Sequence, residues 1–131
     1  MAATIKAEAI AWFVSKYGIK TNIMYASKFY IPDKSWTRQA AWWFEIPQRM
    51  IKMLTPAEIH LLCQKAPDMS DFHHLKIPVI FLEKELPNLC VRKNSKVSLF
   101  LSAGRHEMFI EQRGSGKVSF ARLLKPTNLA T

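Results

Sequence analysis

The sequence predicts an α+β fold: one domain, with two main helices packed on a largely antiparallel sheet that ends in a C-terminal β-meander. Three observations predict it. An apolar stripe with helical spacing opens the chain. The stretch "QAAWWFEIPQRMIKM" follows from Gln39 to Met53, alternates with period two as far as Pro47 and carries two adjacent tryptophans. Three short alternating runs joined by tight turns fill the last third. The chain has 131 residues, 49% of them apolar and 22% charged, which suits a single packed core. The domain is expected over residues 1–125, with a tail at 126–131.

Residues 3–17 read as the first helix. Ile5, Ala9, Trp12 and Phe13 share one face, Lys16 extends its edge, Thr4 is a possible cap and Gly18 a stop. Residues 19–31 read as an extended edge segment and "PDKS" (32–35) as a turn. In the tryptophan run, one face carries Arg38, Ala40, Trp42, Phe44 and Ile46, and the other Gln39, Ala41, Trp43, Glu45 and Pro47. Trp42 is therefore expected in the core and Trp43 on the second face. Glu45 beside it needs a basic or hydrogen-bonding partner, which Arg38 on the opposite face cannot be.

"TPAEIHLLCQKAP" (55–67) reads as the second helix, with Thr55, Pro56 and Glu58 as its start signals and Ile59, Leu62 and Cys63 as its apolar face. "DMSDFHHL" (68–75) reads as a loop. A buried strand is expected within 76–86, around Val79 to Leu82. The meander is expected over 96–103, 106–113 and 117–124, with "GSG" (114–116) as a hairpin loop whose glycines supply positive φ.

Composition limits the function. The net charge is +9, with +5 on residues 16–52, −2 on 53–91 and +6 on 92–131. A field of this sign attracts polyanions. No segment approaches the roughly 20 consecutive apolar residues of a membrane span. The N-terminus lacks the basic-then-apolar build of a secretory signal, so a cytoplasmic location and no membrane partner are expected. Cys63 and Cys90 are expected as buried thiols.

Chemical motifs are weak. His60 and Cys63, with His73, His74 and Cys90, contain zinc-ligand types but not zinc spacing, and no metal or other cofactor is expected. "GSGKVS" matches only the end of a phosphate-binding loop, because positions 111 and 118 are Glu and Val. The nuclease-like order carboxylate, one residue, lysine is approximated by Glu111-Gln112-Arg113, but arginine does not release its proton. No local pattern around either cysteine marks a nucleophile.

The leading expectation is a non-enzymatic basic protein that contacts a polyanion, most of all nucleic acid. Arg49, Lys52, Arg105, Arg113, Lys117 and Arg122 would neutralise phosphates, and Trp43 or Phe109 would stack a base. The alternatives are a protein–protein interaction module, such as an accessory or immunity-type partner of an acidic protein, and a divergent metal-dependent nuclease.

Overall fold

The computed structural model describes residues 4–18, 24–34, 39–104, 108–114 and 116–124. The expectations for Arg38, for residues 19–23, for Arg105 and for the tail at 126–131 lie outside them. The chain builds three layers: a helix, a mixed sheet and an antiparallel sheet.

Helix α1 spans Ile5–Tyr17. The Thr4 hydroxyl accepts from the Ala7 N–H at 3.1 Å. Gly18 closes the helix in the left-handed conformation (φ 74°), its N–H reaching the Val14 carbonyl. Ala9 and Phe13 are buried against Met24, Leu62 and Phe72, so the stripe read from the sequence is the face that packs.

The first sheet has the order β1-β3-β4, with β1 at Met24–Ser27, β3 at Glu58–Gln64 and β4 at Phe72–Pro78. β1 runs parallel to β3, and β3 antiparallel to β4. The second sheet is antiparallel, with the order of β2 (Ala41–Pro47), β6 (Lys96–Ser102) and β5 (Cys90–Val91). The main core lies between the sheets. Ile59, Leu61, Leu75 and Ile77 meet Trp42, Phe44, Ile46, Val97, Leu99 and Leu101 there.

Two short helices, α2 (Gln48–Met53) and α3 (Val79–Glu85), add Ile51, Val79 and Leu82 to this interlayer. Among the described residues no helix is long and apolar enough to cross a membrane.

Trp42 occupies the interlayer as expected, fully buried. Its Nε1–H donates to the Gln64 carbonyl at 2.7 Å, and its ring stacks on Phe109 at 5.2 Å and 12°. Phe109 is held at φ 66°, a costly conformation for a bulky residue. Its backbone is fixed on both sides, donating to the Ser102 carbonyl and accepting from the Phe120 N–H.

Three segments here differ from the sequence expectation. Residues 55–67 do not form a helix, and 58–64 are the central strand β3. This strand is covered on both faces, by α1 and by the second sheet, so its apolar residues run nearly continuously and imitate a helical stripe. Ile59 and Cys63 face the second sheet while Leu62 faces α1. Residues 68–75 are not all loop, since β4 begins at Phe72. The strand expected around Val79–Leu82 is α3 instead, and Val79 and Leu82 are buried three apart while Ile80 is exposed.

Of the three meander strands expected in the last third, only the first forms, as β6; the described residues of 106–113 and 117–124 make isolated bridges and a 3-10 turn at Ala121–Leu123 instead of strands. Antiparallel bridges join Leu101 to Glu111 and Ile110 to Ser119. The glycines act there by a different means than expected. Neither Gly114 nor Gly116 has positive φ; it is Lys117 that does, at 46°. A Cβ on Gly114 would lie 2.1 Å from the Asn88 carbonyl oxygen, so glycine is required by close backbone approach. Gly114→Ala should therefore lower stability by about 1–3 kcal/mol. Gly104→Ala, where the nearest atom is the Ser102 hydroxyl at 3.5 Å, should leave it nearly unchanged. Urea unfolding of the two variants checks the contrast.

Candidate nucleic-acid interface

Because Trp42 points inward, the pleat turns Trp43 and Glu45 to the outer face of the second sheet. Ser98 and Phe100 lie opposite them on β6. The Ser98 hydroxyl, sealed from solvent, accepts from Trp43 Nε1–H at 2.9 Å and from Arg113 Nη1–H at 3.5 Å. Two residues singled out from the sequence thus meet on one hydroxyl. The partner that Glu45 requires is Arg92, at 2.7 Å.

Arg113 is placed by Glu111, which is fully buried. Its carboxylate accepts the backbone N–H groups of Phe100, Arg113 and Gly114 at 2.9, 2.9 and 2.6 Å. That employs Glu111 as a pin for the loop. Glu83, beside Lys84 in the sequence, is exposed on α3. Among the described residues no three His, Cys, Asp or Glu side chains gather as a metal site.

The cations gather at one end of the second sheet. Pro47 is paired with Lys96, and the Gln48 N–H donates to the Ser95 carbonyl at 3.0 Å. The Arg92 N–H reaches the Lys96 carbonyl. These contacts set the start of α2, with exposed Arg49 and Lys52, beside a turn carrying exposed Arg92, Lys93 and Lys96. Glu45, on the same strand as Pro47, is paired with Arg92. Sequence reasoning passed over Arg92, Lys93 and Lys96; the signal was "VRKNSK", three cations in a turn-forming stretch.

The remaining residues fall elsewhere. Lys117 is exposed in the loop after Gly116. Arg122 lies over the Phe81 ring at 5.2 Å and lines a shallow cleft with Glu85. Phe109 is in the core and is not placed to stack a base.

The histidines have structural surroundings. His60 and Cys63 are on opposite faces of β3, which ends their reading as a shared ligand pair. His60 Nδ1 and His74 Nε2 are 2.7 Å apart, and His74 Nδ1 lies 2.8 Å from the Tyr17 hydroxyl. This chain of hydrogen bonds ties α1 to β3 and β4. His73 faces the interlayer, edge-on to Trp42 at 5.7 Å and to Phe109 at 5.5 Å. Burial, with help from the Lys65 charge and against that of Asp71, lowers its pKa below the ordinary 6.5. Burial also pushes the Cys63 thiol well up, so it is a poor nucleophile.

No protein family matches the chain, and no curated protein or solved structure matches it either.

With its folded pKa depressed, His73 takes up its proton less readily in the folded chain than in the unfolded one. Its contribution to stability is therefore complete above the ordinary value of 6.5 and is lost as pH falls below it. Urea unfolding at about pH 7.5 and about pH 5.5 should show the loss, and His73→Gln should reduce it.

Proposed function

We propose that this protein is a non-enzymatic nucleic-acid-binding protein, and that the basic end of the second sheet is its phosphate-contacting surface. The observation that carries the reading is the gathering of Arg49, Lys52, Arg92, Lys93 and Lys96 by the Pro47–Lys96 pairing and the Gln48–Ser95 hydrogen bond. Cations gathered at one corner neutralise phosphates and release the counterions condensed on them. Trp43, half-buried beside this corner and oriented by Ser98, supplies an aromatic edge for a neighbouring base. Arg113 supports the site by holding the same hydroxyl. Lys117 and Arg122 belong to the margin of the footprint. Unpaired Cys63 and Cys90 fit a reducing, cytoplasmic setting.

The contacts are to phosphate, so binding should depend steeply on salt and weakly on sequence. The test is binding of labelled single- and double-stranded DNA and RNA across a salt series, with and without magnesium. For three to five phosphates engaged, log K should fall against log salt with a slope of about −2 to −4. Lys93→Glu with Lys96→Glu should weaken binding more than about tenfold, whereas Arg122→Ala should change it less than about twofold. No binding at low salt would overturn the reading, and magnesium-dependent cleavage would replace it with a nuclease.

A further inference from the structure

The two sheets part company along a line whose lysines, Lys6 and Lys28, the nucleic-acid reading does not use. β1 is one outer strand of the first sheet and β2 one outer strand of the second. The chain passes between them through one antiparallel bridge, Tyr30 to Ala41. There the two residues exchange both backbone hydrogen bonds, at 2.9 and 3.1 Å. One step further, the Trp43 N–H is taken by the Ser27 hydroxyl at 2.9 Å. Beyond that no strand pairs the two edges among the described residues, and they splay.

The result is a groove of about 570 Å³ whose lining includes Lys6, Tyr25, Lys28, Tyr30, Trp43 and Glu45. Its polarity follows from β2. Ala41 and Trp43 direct their N–H groups off the edge of the sheet, and strand period fixes that Glu45 does the same. The Trp43 carbonyl and the Glu45 N–H and carbonyl therefore face the groove, until Pro47 ends the series by lacking an N–H. This is an open template for another strand.

Its charge is equally defined. Lys6 Nζ donates to the Met24 carbonyl on β1 and lies over the Tyr25 ring at 5.8 Å. Lys28 Nζ lies over the Tyr30 ring at 5.3 Å. Glu45, the carboxylate of the lining among the described residues, is neutralised by Arg92. Alternating backbone donors and acceptors between two lysines complement a backbone that carries acids.

We propose that the groove between the outer edges of β1 and β2 binds an extended acidic segment of a partner protein, which adds as a strand to β2. Backbone groups around Glu45 supply the hydrogen bonds, Lys6 and Lys28 select for acidic side chains, and the three aromatic side chains cover the apolar positions between them. The groove shares Trp43 and the Glu45–Arg92 pair with the basic corner, whereas Lys6 and Lys28 belong to the groove and Lys93 and Lys96 to the corner, so charge reversal at Lys28 and at Lys93 with Lys96 tells the two readings apart.

The probe is a fluorescein-labelled ten-residue peptide of alternating Glu and Val, measured by anisotropy on the full chain. Three comparisons accompany it: the same peptide N-methylated at alternate amides, a Lys and Val peptide, and oligothymidylate as competitor. The Glu and Val peptide should bind, and either N-methylation or Lys28→Glu, an exposed position, should weaken it by about tenfold. Lys93→Glu with Lys96→Glu should leave it unchanged while weakening DNA. The proposal is overturned by no binding at low salt, or by equal binding of the N-methylated or the Lys and Val peptide. It is also overturned if oligothymidylate displaces the peptide and Lys28→Glu weakens the oligonucleotide instead, which would make the groove part of the nucleic-acid surface.

Discussion

The structure turns on the enclosure of Trp42 between two sheets. A buried indole N–H left without an acceptor is costly, and the Gln64 carbonyl supplies one at 2.7 Å. Gln64 in turn is held from several sides. Its side-chain oxygen accepts from the Phe29 N–H, and its amide donates to the Met69 carbonyl. One residue at the end of β3 therefore joins the second sheet, the segment after β1 and the loop before β4. Phe109 closes the other face of the indole and accepts left-handed backbone to do so. The interlayer is fixed around this side chain, and the register of β2 with it.

From that register the candidate surface follows. A strand that turns Trp42 inward must turn Trp43 and Glu45 outward, and a slip of one residue would exchange them. The same register sets Pro47 against Lys96 and delivers the start of α2 to the 92–95 turn. The basic corner is thus a consequence of core packing, not an independent feature. Cations distant in the chain, at 49 and 52 and at 92, 93 and 96, share one end of a sheet because the register of β2 with β6 brings them there. The acidic stretch 53–91, which separates them in sequence, is largely spent on β3, β4 and α3.

Legibility in the sequence followed how local each signal was. Helix α1 has its own cap, stripe and stop, and was readable. The strand β2 was readable because its two faces differ, Trp42, Phe44 and Ile46 against Trp43 and Glu45. β3 was not, because both its faces are buried and the alternation that marks a strand is erased. The Thr55-Pro56 start signal is real local chemistry overridden by two neighbouring strands and a helix. At the candidate site, Trp43 and Arg113 were found from sequence and do meet. Lys93 and Lys96 were missed because their neighbours, Arg49 and Lys52, are set by a pairing that no local pattern announces. Gly114 was noticed for the wrong reason, since the Asn88 backbone that excludes a side chain lies 26 residues earlier in the chain.

The central claim is a division of labour between adjacent tryptophans: Trp42 holds the sheets together and Trp43 stands on the surface that meets a ligand. The most direct measurement is a ¹⁵N–¹H spectrum titrated with a single-stranded oligonucleotide, with the indole signals assigned by Trp42→Phe and Trp43→Phe. The Trp43 indole and the amides of Lys93 to Lys96 should shift together, while the Trp42 indole stays in place. Shifts at Trp42 equal to those at Trp43, or shifts confined to α1 and the Tyr17–His74–His60 chain, would contradict it.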